Sequence, residues 1–400
     1  MQVRSRTRSY RALIVAALSM VALITTVSPA AANGTPSSFG VTGKPLTTGP
    51  NYDRNASVVQ DGKATYVFFA RSRIAPCNRL ASCDPDQRKY DLFYKKSLDG
   101  GRSFGSAQQA AANPDPTPDV NPSVPYGAFR GRTIAATKNG NKVTIFWADG
   151  GNQRELYKVE KPSGSDTFSA PTLVPLGAET VFNVEAVTRG TQTFLYTEGT
   201  GPSGYGIYAH TYTAGVAGPA QLVMLDRNIP KAIVDKRAGA IRLTYVDATQ
   251  YPQVDDYVNS SADGIHFGPE RLAVPAAPNE SNWDPNLLQV DGAYLLFFAP
   301  DRQAGAGKQQ VALATSRDFN TWTRRGDITP GEKDGVQYWD YWPEGFADGN
   351  TLALFYASER GFDGNPTGIG HIWVIAGRDD GHGHGEFDDD GHGHGGHWDD

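Results

Sequence analysis

The sequence predicts an all-β fold: a six-bladed β-propeller with four-stranded antiparallel blades. Six short aromatic strands recur along the chain: YVFFA (66–70), TIFWA (144–148), TFLYT (193–197), RLTYV (242–246), LLFFA (295–299) and LALFYA (352–357). Aligned on Phe69, Trp147, Tyr196, Tyr245, Phe298 and Tyr356, they stand 78, 49, 49, 53 and 58 residues apart. A repeat of roughly 40–50 residues built from short strands is the mark of a propeller. Each aromatic strand follows an inner strand, such as ASVV (56–59), TIAA (133–136) or NLLQV (286–290), across a tight polar turn containing Asn-Gly or Asp-Gly in several repeats. Those dipeptides supply the positive-φ positions that hairpins need. One blade cannot bury both faces of its own sheet, so the blades must stack in a ring around a central channel.

The ring accounts for residues 50–377. Residues 1–32 read as a secretory signal: Arg4, Arg6, Arg8 and Arg11, then an apolar run over 13–27, then three alanines at 30–32. Fifteen apolar residues are short for a membrane span, and a small-residue cleavage site follows at once. Residues 33–49 are an N-terminal lead. The expected mature protein is secreted, monomeric and free of the membrane once the signal is removed. Cys77 and Cys83, in a polar loop, are expected to pair as a local disulfide, as the oxidising compartment allows. Residues 378–400 form a low-complexity tail with His382, His384, His392, His394 and His397, five of the eight histidines in the chain. Weak metal binding by that tail and a merely solubilising role both fit its composition. The formal net charge is −6, so no basic nucleic-acid surface is expected. Nothing in the sequence calls for a cofactor.

A further strand completes each repeat, and where it turns outward three repeats carry a related signature. These are Ser97, Asp99, Gly101 and Phe104; Ser261, Asp263 and Phe267; and Ser316, Asp318 and Trp322. A degenerate relative spans residues 163–168. The first fits the Asp-box pattern SxDxGx(T/S)(W/F). On these motifs the chain resembles the sialidase (neuraminidase) superfamily of Asp-box, or BNR, repeat propellers. The resemblance implies a structural role for the boxes, on the face away from the active site.

Strand direction sorts the remaining residues. The start of each inner strand and the end of each aromatic strand share one face, opposite the turns just named. That face gathers carboxylates, Arg and Trp, which suit carbohydrate chemistry: two carboxyl groups for glycoside hydrolysis, aromatic platforms for sugar faces, and guanidinium forks for carboxylated or hydroxylated sugars. Interblade ion pairs would use the same residue types. The candidates for chemistry are Asp53, Glu185, Asp284, Tyr341 and Glu344. The candidates for substrate binding are Arg54, Arg227, Arg302, Trp283, Trp339 and Trp342.

The family resemblance implies an arginine triad on a substrate carboxylate, to which Arg54, Arg227 and Arg302 could correspond. It also implies a tyrosine nucleophile paired with a glutamate, to which Tyr341 with Glu185 or Glu344 could correspond. The sequence YDRN at 52–55 stands where the family carries (Y/F)RIP. The stretch WDPNLLQVDG at 283–292 is also similar to inner strands of arabinanase- and xylosidase-type propellers, which have five blades. The reading is a sialidase-like exo-acting glycoside hydrolase on extracellular glycans or polysaccharide. The alternative is a non-catalytic glycan-binding propeller.

Overall fold

The computed structural model describes residues 43–72, 90–114, 133–148, 155–177, 179–302, 309–333, 336–348, 351–360 and 370–377. The signal segment, Cys77 and Cys83, and the His-rich tail lie outside the described residues.

The described residues form six antiparallel sheets in chain order. The inner strands are Asp53–Asp61, Ile134–Asn139, Thr180–Arg189, Asn228–Val234, Glu280–Val290 and Val336–Asp348. Each touches the next, and the last touches the first, so the sheets close into a propeller. The only helical segment among the described residues is one short 3₁₀ turn, Ala248–Gln250, so none is long enough to cross a membrane.

Closure is made in the sixth blade. Its outermost strand is not the end of the chain but Lys44–Pro45, which pairs with Gly370–Gly377 through Lys44 to Val374 and Pro45 to Trp373. The Leu46 amide donates to the Ile372 carbonyl at 2.7 Å. The segment read as a lead thus supplies a blade strand, and both ends of the ring domain are tied to one sheet.

The aromatic strands lie second from the axis, covered on both faces. Side chains alternate along a strand, so neighbours point to different blades. In the first blade Tyr66 and Phe68 pack with Ile145 and Trp147 of the second. Val67 and Phe69 pack with Phe355 and Ala357 of the sixth. All four first-blade side chains have no exposed surface. This explains why these strands read as continuous apolar runs rather than alternating ones. Each buried aromatic contributes roughly 1.5–3 kcal/mol of transfer free energy.

At one end of the ring the turns are closely satisfied. Ser97 Oγ donates to Asp99 Oδ1 at 2.7 Å, and Asp99 accepts the Ser103 amide at 2.9 Å. Asp263 accepts from the amides of Ile265 and His266 at 2.9 and 2.8 Å, and Asp318 from Asn320 and Thr321 at 2.8 Å each. Phe104 packs on Phe355 and Phe267 on Tyr196, each reaching back to the preceding blade. The turn near residue 163 differs. Asp166 leaves its own turn and accepts from Tyr66 and Lys96 of the first blade at 2.6 and 2.8 Å. Hairpins also latch onto the next blade: Arg189 donates to the carbonyls of Ala262 and Asp263 at 2.6 and 3.0 Å, and Lys161 pairs with Asp61 at 2.6 Å.

Candidate functional site

The opposite end is built differently. In five blades the inner strand carries a register shift as it enters the ring: between Val181 and Asn183 in the third, and, in the four that concern the site, between Arg54 and Ser57, Asn228 and Lys231, Trp283 and Asn286, and Tyr341 and Glu344. Each of these last four holds one non-glycine residue at positive φ: Asn55 at 55°, Ile229 at 54°, Asp284 at 52° and Trp342 at 50°. Such a backbone costs about 1–3 kcal/mol per residue. Bulges of this kind bend a strand and re-aim its side chains. Three of the four are followed by proline, at Pro230, Pro285 and Pro343. All four left-handed residues line one shallow depression at the channel mouth, together with Lys231.

Two groups of side chains meet there. In the first, Lys231 Nζ lies 3.1 Å from Glu185 Oε2 and 3.1 Å from Glu344 Oε2. Asn286 Nδ2 donates to Glu344 at 2.8 Å. Burial, aided by the charge of Glu344 and opposed by Lys231, pushes the Glu185 carboxyl up to about 7. Burial alone would discharge Lys231, but its two carboxylate partners outweigh that and hold it charged. Asp284 is likewise pushed up to about 7, mainly by burial. Its Oδ2 accepts a long bond, 3.4 Å, from the Trp342 amide.

In the second group, the Arg54 guanidinium lies 4.3 Å from the Trp342 ring centroid, with Tyr90 and Tyr52 at 5.9 and 6.0 Å. No carboxylate pairs with Arg54 among the described residues, and its Nε is buried without a hydrogen-bond partner. Beside it, the hydroxyls of Tyr52 and Tyr341 are 3.1 Å apart. Glu359 accepts from Tyr52 at 3.1 Å and from Tyr341 at 3.5 Å. Burial, foremost, and Glu359 raise the Tyr341 phenol.

The other candidates lie elsewhere. Asp53 is fully buried and takes both arms of Arg71, at 2.6 and 2.8 Å. Arg227 is held by Glu270 and Asp247 at 2.7 and 3.0 Å. Arg302 is held by Asp327 and Glu280 at 2.7 and 3.4 Å. Neither of these two arginines meets Arg54. Trp283 packs in an apolar cluster with Ile229, Val246 and Val254. Trp339 packs against the cluster of Tyr341 and Phe346, while Trp342 faces the depression. The hydroxyl of Tyr341 meets Tyr52 and Glu359 rather than Glu185 or Glu344. Lys231, central to the first group, was not among the sequence candidates. Its signal was the aligned tripeptides IPK (229–231), DPN (284–286) and WPE (342–344), which place Lys231, Asn286 and Glu344 at equivalent steps after each bulge.

No family model and no curated protein matches the chain in sequence. Solved structures do match in shape. A protein of unknown function from Dyadobacter fermentans aligns with TM-score 0.55 at 13% identity, covering 82% of this chain and 95% of that one. The sialidase of Trypanosoma rangeli aligns with TM-score 0.53 at 11% identity, covering 82% of this chain and 55% of that one. The chain therefore spans about half the length of that sialidase. A thermostable family-43 glycoside hydrolase gives a looser match, with TM-score 0.44 at 14% identity, over 62% of this chain and 88% of that one. The chain shares a sialidase-like propeller fold.

Proposed function

We propose that this protein is a secreted, exo-acting glycoside hydrolase on extracellular glycans or polysaccharide, with the signal at 1–32 directing export and the three serine–aspartate turns serving as structural Asp-boxes. The observation that carries the reading is the pair of carboxyls held either side of one ammonium at the channel mouth. Glu185, protonatable near neutral pH, is the proton donor to the leaving oxygen. Glu344, paired with Lys231 and accepting from Asn286, is the nucleophile or base. Both carboxyl oxygens lie within 3.1 Å of Lys231, so they can be no more than about 6 Å apart, nearer the spacing of retaining than of inverting glycosidases. The ammonium occupies a place where an oxocarbenium-like transition state would put positive charge. The flexible stem of Lys231 must swing aside for a sugar to enter. Arg54, stacked on Trp342 with no acidic partner among the described residues, is the receptor for a carboxylate or hydroxyl pair on the substrate.

Hydrolysis of a panel of fluorogenic glycosides, including α-sialosides, α-L-arabinosides, β-xylosides and uronides, tests the reading. One member should be cleaved, and Glu185→Gln should lower its turnover by roughly 10²–10⁴-fold, the usual worth of a positioned general acid, while glycan binding survives. Turnover unchanged in Glu185→Gln removes that residue from the chemistry. The aromatic wall of Tyr52, Tyr90 and Trp342 around Arg54 favours a second reading, a glycan-binding propeller without hydrolysis. It is preferred if the folded protein cleaves nothing on the panel and Trp342→Ala weakens binding on a glycan array.

A further inference from the structure

Between the fourth and fifth blades, and reaching the channel mouth at Asp284, several buried oxygens have no donor among the described residues. Asp256 opens the third strand of the fourth blade, Asp256–Ser261. It has no exposed surface, and neither carboxylate oxygen has a hydrogen-bond partner among the described residues. Across the sheet it pairs with Val246 on one side and Val274 on the other. Val246 packs against Trp283 of the fifth blade, which places Asp256 on the face turned to that blade.

Asn282, next to Trp283, crosses the same place. Its backbone amide donates to the Val254 carbonyl at 2.8 Å, and its side-chain Nδ2 donates to the Val274 carbonyl at 3.1 Å. Those two carbonyls flank Asp256: Val254 precedes it by two residues and Val274 is its strand partner. Asn282 therefore lies over Asp256. It too has no exposed surface, and its Oδ1 has no donor. Two residues further on, at the strained bulge, Asp284 Oδ1 is also without one. Arg324, the cation on this side, is engaged by Glu280 at 2.5 Å. An unpaired buried acceptor is costly, and more so when charged; Asp256 and Asn282 leave three, and Asp284 a fourth at the bulge that follows.

We propose that Asp256, Asn282 and Asp284 form a binding site for a hard divalent cation of calcium's size, seated between the fourth and fifth blades. The donors are two carboxylates and an amide oxygen, the set that Ca²⁺ takes in flexible geometry. Zinc prefers nitrogen and sulfur ligands, and Mg²⁺ holds to near-ideal octahedral geometry with several waters, which three protein oxygens on two blades match less well than the flexible shell of Ca²⁺. A cation here supplies what the four oxygens lack, ties the third strand of one blade to the inner strand of the next, and anchors the bulge at Asp284. The inference is independent of whether the channel mouth hydrolyses anything.

The test uses the full chain stripped with chelator. Added Ca²⁺ should bind at one tight site per chain by elemental analysis and raise the thermal midpoint by several degrees. Tb³⁺ in its place should luminesce when tryptophan is excited, because Trp283 adjoins the site. Asp256→Asn, which keeps the shape and removes a buried charge, should weaken Ca²⁺ at least tenfold and abolish the terbium signal. Asn282→Asp, which adds a charged oxygen, should tighten binding. The proposal is overturned if the wild type gains nothing from Ca²⁺. It also fails if Asp256→Asn keeps the full stoichiometry and midpoint gain, as it would if the acidic tail were the binder, or if Asn282→Asp leaves the affinity unchanged.

Discussion

The two ends of the ring treat their carboxylates in opposite ways. At the turn end, Asp99, Asp263 and Asp318 each collect amide and hydroxyl donors, and those bonds hold their carboxyls well below the usual range, Asp318 at about 2. At the channel end, Glu185 and Asp284 are buried with too few donors and rise to about 7. The turn end is also where blades are latched, through Arg189, Lys161 and the aromatic residues of the turns. The channel end carries four left-handed non-glycine residues in a row of bulges. One end is arranged for stability. The other accepts strain and exposed chemical demand, which is what a site for binding or catalysis requires.

The comparison can be broken most severely at Lys231. Lys231→Met leaves Glu185 and Glu344 as buried neighbours without their counter-charge. Removing one partner of a buried charge group costs roughly 3–5 kcal/mol, so urea unfolding at pH 7 should show a loss of that size, smaller at pH 5 where the carboxyls can protonate. An unchanged midpoint at pH 7 means the cluster is solvated and the contrast between the ends is overstated.

The next effect lies in pH dependence. Glu185 and Asp284 have folded values above their unfolded ones. They favour the folded state fully below the unfolded carboxylate range near pH 4, and that advantage is lost as pH rises to about 7. The turn aspartates have depressed values, so their contribution is present above about pH 4 and is lost as pH falls towards 2. In chelator-containing buffer, Asp284→Asn should therefore stabilise the protein at pH 8 by about 1–3 kcal/mol, with little change at pH 4. A destabilised variant at pH 8 would mean that Asp284 is well solvated or paired in the folded chain.

The smallest effect is expected at the turns. Asp318→Ala should lower the thermal midpoint slightly at pH 7 and by less at pH 2, where about half of the carboxyl's charge is lost. Equal losses at both values would assign the turn's stability to packing of Phe319 and Trp322 instead.

Much of the ring was legible in the chain. The repeat of aromatic strands reflects a local rule, alternation of side chains between two covered faces, and it leaves a trace at every blade. The serine–aspartate turns are equally local, since donor and acceptor lie within a few residues. The site was less legible. Glu185, Asp284, Glu344, Arg54 and Trp342 could be assigned to the correct end from strand direction alone. Their partners could not, because Glu185, Lys231 and Glu344 belong to three different blades, two of them neighbours, and meet only once the ring is closed. Arg227 and Arg302 look like Arg54 in sequence, yet two are tied to carboxylates of nearby strands and one is not. The strand at Lys44–Pro45 carries too few residues to announce itself as part of the sixth blade.

By itself, the sequence determined the class of fold, the number of blades and which end of the ring holds chemical side chains, because each of these follows from periodicity and strand direction. Only the tertiary structure decided which carboxyls share a cation, which arginine has no carboxylate partner among the described residues, and which buried oxygens have no donor there. Those depend on closing a ring, which brings together residues that no local pattern relates.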